Sequence, residues 1–484
     1  MEAQQQLFIG GEWVAPSTSE VIEVVSPHTE QVFATAVAAG PADVDKAVAA
    51  ARRAFDEGPW PRMAPAERIA AVRRIADLYA PQRGAIASTV TAEMGAPSRD
   101  AKMAHATIPW MFMKAFADLA EQHPWEVTRK GAYGVDIMVR REAVGVVAAI
   151  VPWNMPNFML IAKLIPALLA GCPVILKPSP ETPLDANMLA EIVRQAELPE
   201  GLVSVLPGGR ELGQYLVAHP GVDKVSFTGS TAAGRNVAAV CGGALRRVSL
   251  ELGGKSAAIV LDDADPAFVA EGTKISGLMN SGQACVAQTR ILVPRSRYGE
   301  FVDALADMMS TIPVGNPEDP TTEVGPMVAQ RQQARVRGYI DIGQKEGARM
   351  VVGGTDLPNT VDSGWYVRPT LFADVRNDMT IAREEIFGPV LSVIPYDGDA
   401  EAVRIANDSE YGLAGSVWTS DPDRGLAVAK EVRAGTYGIN GAYPMDPMFP
   451  MGGFKASGIG RELGSEGIES FLETKSISGM RVPS

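Results

Sequence analysis

The stretch from 144 to 229 leaves few folds open to this chain. VGVVAAIV at 144–151 is almost continuously apolar, and PVILK at 173–177, LVSVLP at 202–207 and KVSFTG at 224–229 follow it as further strands. Strands that read as unbroken apolar runs are buried on both faces, as in a parallel sheet covered by helices. Helical patterns at 157–170, 183–196 and 211–218 separate them. This alternation predicts an open, mostly parallel α/β sheet.

A second alternation follows SLELGG at 249–254: SAAIVLD, a helix over 266–280, TRILVP and a helix over 297–309. A boundary near 250 is therefore expected. Upstream, 7–36 reads as short strands broken by Gly10-Gly11 and Pro27, and helices are expected over 43–55, 65–94 and 98–122. The polar and aromatic stretch 125–141, with its Gly131-Ala132-Tyr133-Gly134 turn, predicts a projecting hairpin. GSVWTSD at 415–421 and GTYGIN at 435–440 read as late strands, and ESFLETKSIS as a strand added elsewhere.

Composition narrows the function. At 484 residues, 46% of them apolar and 21% charged, the chain is too long for one ordinary core and too apolar for general disorder. A net charge of -13 offers no basic footprint for nucleic acid or an anionic membrane, though a local site can still hold a small anionic cofactor. Cys172, Cys241 and Cys285 are too few and too scattered for a disulfide framework or a zinc site, so no metal is expected. No basic-then-apolar leader opens the chain, and Lys163 and several prolines interrupt the apolar region 143–176. A cytoplasmic protein is the expectation.

Several residues stand in settings that suit chemistry. Cys285, in NSGQACVAQTR, reads either as a small buried residue or as a nucleophile at a helix-to-strand junction. The four histidines, His28, His105, His123 and His219, are scattered, which brings a carboxylate base into consideration. Glu251 in SLELGGK stands at a strand end beside a flexible turn, where it either faces a cleft or makes a surface ion pair. FTGSTAAG puts Gly229 and Gly234 between strand and helix, a structural turn or a pyrophosphate seat, without the spacing of the common dinucleotide or Walker loops. Asn154 in PWNMPNF either caps loop backbone or donates to a developing oxyanion. Lys177 either binds cofactor oxygens or leaves the sheet for solvent.

Taken in order, PWNMP, LKPSPETP, FTGSTAAG, LELGGK, GQAC, EEIFGP and GGFKASGIGRELG closely resemble the aldehyde dehydrogenase superfamily, along essentially the whole chain. The resemblance implies that fold: a cofactor-binding α/β domain, a second α/β catalytic domain and a small β bridging element. On that comparison, 1–124 begins the cofactor-binding domain, 125–141 is an oligomerisation hairpin and 142–250 is the NAD(P)-binding domain. The catalytic domain spans 251–440, and 441–484 is a return segment with an oligomerisation strand.

The same resemblance implies roles. Cys285 would attack an aldehyde to form a thiohemiacetal, with the oxygen held by Asn154 and the Cys285 backbone N–H. Hydride loss would leave a thioester, hydrolysed by water that Glu251 activates. Lys177 would contact the adenosine ribose and Glu385 the nicotinamide ribose, while Phe387, Gly229, Ser230 and Trp153 border the cofactor, joined by Gln332 and Gly213. Trp153 and Phe387 are equally readable as packing residues.

Many NAD-preferring relatives carry a glutamate three positions after the matching lysine; here that position is Pro180, with Glu181 one step later. NAD remains the leading cofactor, with NADP open. By resemblance, Met155, Met159, Ala162, Tyr443, Met445 and Met451 line the substrate tunnel, and Ala284 and Val286 flank the nucleophile. This apolar set without a cationic clamp points to a hydrophobic, aromatic or terpenoid aldehyde, though the methionines also read as core filler. A homodimer or homotetramer is implied. Two other readings stand beside this one: a coenzyme A-acylating dehydrogenase, and a catalytically silent binding or structural member. The joint presence of Cys285, Glu251 and Asn154 disfavours the silent member, and Glu251 beside its glycines favours hydrolysis over release to coenzyme A.

Overall fold

The computed structural model describes residues 5–478. The reading of the chain's opening and that of its last segment fall partly on residues outside this span.

The N-terminal strands β1 (Leu7–Ile9) and β2 (Glu12–Val14) form an antiparallel pair, and β3 (Val21–Val25) and β4 (Val32–Val37) form another. Three helical stretches follow. The one expected over 65–94 is interrupted: Pro81 cannot continue an α-helical ladder, and a short 3-10 turn at Ala80–Gln82 separates Pro65–Tyr79 from Arg83–Met94. The one expected over 98–122 contains a π-helical segment at Ala101–Thr107. The hairpin is present as β5 (Glu126–Lys130) and β6 (Asp136–Ala143), and most of β5 is exposed.

The predicted α/β alternation then appears as β7 (Val147–Ile150), β8 (Val174–Lys177), β9 (Val203–Val205), β10 (Lys224–Thr228) and β11 (Arg247–Glu251), all parallel. Their order in the sheet is β11-β10-β7-β8-β9, extended by β1 and β2 at one side. The chain builds outward from β7 in one direction and then returns to its other side, so the order reverses between β7 and β10. Open α/β sheets bind ligands at such a reversal, beyond the carboxyl ends of the strands. Apolar residues are buried on both faces, in one cluster around the helix Pro156–Ala170 and another beneath the helices Pro41–Asp56 and Arg210–Ala218.

A second sheet begins directly after β11. It comprises β12 (Ala257–Val260), β13 (Arg290–Pro294), β14 (Arg349–Val352), β15 (Thr370–Ala373), β16 (Val390–Tyr396), β17 (Gly415–Trp418) and β18 (Gly438–Ile439), in the order β14-β15-β16-β13-β12-β17-β18. Only β14 runs antiparallel. The strand expected over 435–440 is two residues long, and β14, β15 and β16 fall in a region that the sequence pattern left without assignment.

The chain then returns to the first sheet: β19 (Gly458–Ile459) pairs antiparallel with β11, setting Gly458 opposite Glu251. Finally β20 (Leu472–Ser478) adds to the hairpin, from Leu472 opposite Ala143 to Ser478 opposite Ile137. No described helix is long and apolar enough to cross a membrane.

Because only Leu252 to Ser256 separate β11 from β12, the carboxyl end of the first sheet confronts the amino end of the second across one cleft.

Candidate active site

Each sequence motif ends at this cleft because each closes a strand or opens one. Asn154 follows β7, Lys177 ends β8, Gly229 and Ser230 follow β10, and Glu251 ends β11. From the opposite side come Cys285, in the turn before β13, and Glu385, in the loop before β16.

Cys285 is half-buried, and its thiol is pushed up to about 12 by burial, with the negative charges of Glu385 and Glu251 adding to the effect. Backbone N–H groups of Val286 and Cys285 act in the opposite direction. Asn154 is 5% exposed, and its Nδ2 donates to the Gln283 carbonyl at 2.9 Å. The amide is thus fixed to the loop that carries Cys285. It has a second N–H that this bond does not use.

Glu251 is not the surface residue of the alternative reading. It is 4% exposed, both carboxylate oxygens are buried without a hydrogen-bond partner, and a Cβ on Gly452 would stand 2.8 Å from Oε1. Burial holds its pKa well above the ordinary carboxylate range, and the charge of Glu462 raises it further, while Lys163 and Arg461 oppose. Lys163 and Glu462 form a buried ion pair behind it, and Lys163 also donates to Ser226 Oγ at 3.1 Å. Sequence reading missed this pair; the one signal was a lone lysine inside FMLIAKLIPALLA.

Lys177 does not leave for solvent. It is 5% exposed, its ammonium donates to the Pro178 carbonyl at 3.0 Å, and burial lowers it to about 8. Gly213 packs on its stem, where a Cβ would lie 3.5 Å from Cδ. Glu385 accepts from the Gly254 N–H at 3.0 Å; burial raises it to about 7 despite that bond and the charges of Arg335 and Lys255.

Trp153 and Phe387 meet edge to face, with centroids 5.4 Å apart. Gln332 supports this corner by donating to the Phe387 carbonyl at 2.8 Å, so its amide nitrogen is engaged within the protein. The Ser230 hydroxyl caps the helix Thr231–Gly243, accepting from the Ala233 N–H at 3.3 Å. Gly229 donates its N–H to the Glu251 carbonyl at 3.1 Å, tying the ends of β10 and β11 together. Glu181 is bonded to the Ser179 hydroxyl and ion-paired with Arg331, which reaches it from the second domain.

Met159, Ala162 and Met451 are buried in one apolar cluster, against which Met155, Met445, Val286, Trp153 and Cys285 pack. Ala284 is buried outside that cluster, and Tyr443 carries a buried hydroxyl without a hydrogen-bond partner. Among the described residues there is no group of three or more His, Cys, Asp or Glu side chains that could hold a metal ion.

A thiol, a buried carboxylate whose charge bears on it, and an amide with an unused N–H held to the thiol's loop are thus brought together, with Met155, Met445 and Val286 packed against the same core as Cys285. Comparison with known proteins points the same way. The family model described as "Aldehyde dehydrogenase family" matches residues 13–477. A geranial dehydrogenase of Castellaniella defragrans is 46% identical over 98% of both chains. Among solved structures, a Mycobacterium tuberculosis aldehyde dehydrogenase complexed with NAD+ is 50% identical, with a TM-score of 0.96 over 98% of both chains. A mutant of aldehyde dehydrogenase C from Pseudomonas syringae, in complex with NAD+ and octanal, is 40% identical with a TM-score of 0.95, covering 99% of this chain and 98% of that one.

Proposed function

This chain belongs to the aldehyde dehydrogenase family, and from that premise we propose that it oxidises a hydrophobic aldehyde to its carboxylic acid through Cys285, Glu251 and Asn154. The observation that carries the reading is the convergence of a half-buried thiol, a buried unpaired carboxylate and an immobilised amide at the junction of the two sheets.

The residues at the strand ends suit a nicotinamide dinucleotide. Lys177 has donor capacity beyond its bond to Pro178, Glu385 Oε2 is not used by Gly254, and the strand order reverses beside Gly229 and Ser230. Held there by Lys177 and Glu385, a nicotinamide dinucleotide would supply the hydride acceptor. NAD is the cofactor named in both structural neighbours. With Pro180 in place of an acid and Glu181 engaged by Arg331, NADP is also accepted on this reading.

Burial and the charges of Glu385 and Glu251 favour the thiol form of Cys285, so its proton passes to solvent before the sulfur adds, as thiolate, to the carbonyl carbon and the carbonyl π pair becomes the oxyanion. Asn154 and the Cys285 backbone N–H stabilise the resulting oxygen charge, and this help is greatest where that charge develops. After hydride loss, the thioester on Cys285 faces water. Glu251, which burial holds well above the ordinary carboxylate range, takes the water's proton. Its retention favours hydrolysis over transfer to coenzyme A.

The methionine-rich wall adapts to irregular apolar shapes. Together with the geranial-oxidising relative and the octanal-bound neighbour, it supports a terpenoid or medium-chain aldehyde as substrate. Initial rates of reduced-nicotinamide formation with geranial, octanal, benzaldehyde and succinic semialdehyde, with NAD and NADP in parallel and no coenzyme A, test this. The hydrophobic aldehydes are expected to lead by at least about tenfold in kcat/KM, the value of one or two buried methylenes. A lead for the semialdehyde overturns the substrate class, and activity that appears only with coenzyme A overturns the hydrolytic route.

Gly253 and Gly254 serve by close approach. A Cβ on Gly254 would stand 2.5 Å from the Cys285 carbonyl oxygen, and one on Gly253 2.5 Å from Glu385 Oε2. Gly254→Ala is expected to displace the nucleophile and lower kcat by about 10²-fold, whereas Gly253→Ala raises the KM for NAD with less effect on kcat. Steady-state kinetics separate them, and equal, small effects on both constants would contradict the placement.

The free thiols of all three cysteines fit a reducing compartment, and we read the enzyme as cytoplasmic. Among the described residues no strand pairs with the outer edge of β20. An exposed edge of that kind is suited to meeting another copy, which supports a homodimer or homotetramer.

A further inference from the structure

Immediately before the nucleophile the chain makes a left-handed turn. Asn280 has φ 54° and ψ 38°, Ser281 has φ 59° and ψ 31°, and Gly282 continues with φ 74°. Two successive side-chain-bearing residues in this region persist only where surrounding bonds over-determine the backbone. Here they do. The Asn280 N–H donates to Asp100 Oδ2 at 3.3 Å, Ser281 Oγ accepts from the Gly325 N–H at 2.8 Å, and Gln283 Oε1 accepts from the Val328 N–H at 3.0 Å.

The Asn280 side chain is 1% exposed and closes a ring. Its Nδ2 donates to the Asn154 carbonyl at 2.8 Å and to the Gln283 carbonyl at 3.3 Å, and that same Gln283 carbonyl accepts from Asn154 Nδ2 at 2.9 Å. Both the backbone and the side chain of Asn154 are therefore tied to the turn that carries Cys285. Asparagine suits the position twice, since it tolerates the left-handed backbone and supplies the donor.

We propose that Asn280 is a positioning residue that sets the Asn154 amide relative to Cys285, so that the second N–H of Asn154 points at the oxygen of the thiohemiacetal. This rests on the reading of Asn154 as an oxyanion donor. Asn280 touches neither substrate nor cofactor; it acts through Asn154.

A double-mutant cycle tests it. The pre-steady-state rate of reduced-nicotinamide formation would be measured in the full-length enzyme with saturating NAD and octanal, for wild type, Asn154→Ala, Asn280→Gly and the double variant. Glycine keeps the left-handed backbone without strain, so the variant removes the amide alone. Asn154→Ala is expected to slow the step by about 10²–10³-fold, the usual loss for one oxyanion donor. Asn280→Gly is expected to slow it by at least about tenfold on the same scale, and the double variant is no slower than Asn154→Ala.

Equal losses for Asn280→Gly in both backgrounds overturn the proposal, as does a parallel loss in the rate at which iodoacetamide alkylates Cys285, which needs no oxyanion donor. An undiminished rate for Asn154→Ala instead overturns the underlying reading of Asn154. If Asn280→Gly does not fold, Asn280→Asp takes its place in the cycle; it keeps the shape and loses the donors, and a wild-type rate in that variant equally overturns the proposal.

Discussion

Cys285→Ala is expected to stop aldehyde oxidation, lowering kcat by about 10⁴-fold or more, the scale on which a covalent catalyst fails without its nucleophile. No other described thiol can substitute: Cys172 is fully buried with its Sγ against the Phe471 carbonyl, and Cys241 is buried on the inner face of the helix Thr231–Gly243. Cofactor binding should survive, because Lys177, Glu385 and the β10 turn owe their positions to other elements. Titration of tryptophan fluorescence with NAD reports that binding through Trp153, which packs on Phe387 in the cleft. Retained oxidation in the variant would falsify the nucleophile assignment; loss of NAD binding along with activity would show a collapsed cleft rather than a missing sulfur.

Glu251→Gln is expected to separate the two halves of the reaction. Formation of the first equivalent of reduced nicotinamide persists as a burst, while steady turnover falls by about 10²–10⁴-fold for want of a base. In the wild type, the steady rate climbs as pH rises through the elevated pKa of Glu251, and the variant lacks that limb. Stability runs oppositely. Burial raises the folded-state pKa, so the protonated form is the one that stabilises the fold. That contribution is complete below the pKa of the unfolded chain and is lost as pH rises through the folded value. The variant's thermal midpoint should therefore match the wild type's below about pH 4, under the unfolded-chain pKa, and exceed it increasingly at higher pH, by about 1 °C per kcal/mol relieved in a chain of this length. A variant with normal steady turnover and no burst would remove Glu251 from the mechanism.

Much of the fold could be read from the chain because β7, β8 and β12 are buried on both faces and largely apolar, β8 closing on Lys177. Two of the strands of the second sheet that escaped notice, β14 and β16, lack that signature. β14 is a half-exposed antiparallel edge, and β16 contains Pro395, which reads as a breaker although it pairs with Val293 inside the sheet. The motifs around Asn154, Glu251 and Cys285 were legible because each closes or opens a strand with short, polar, glycine-rich sequence. Their partners were not. Lys163 and Glu462 lie 299 residues apart, and Asn280 reaches Asn154 across 126, so no local pattern couples them. Lys177 is kept from solvent by the helix Arg210–Ala218, whose Gly213 lies over the lysine's stem.

The return of β19 to the first sheet also bears on how the molecule comes into being. A ribosome delivers β7 through β11 early, and these strands have their helical covering long before the C-terminus exists. The outer edge of β11, where Glu251 sits, has nothing to pair with until residues 458–459 emerge. Glu462, the partner of buried Lys163, arrives at the same late moment. The nucleophile is made well before the seat of the carboxylate is finished, so a truncated nascent chain carries the reactive sulfur without its completed companion. On the roles proposed for these residues, full catalytic competence is thereby reserved for molecules whose synthesis has passed Glu462.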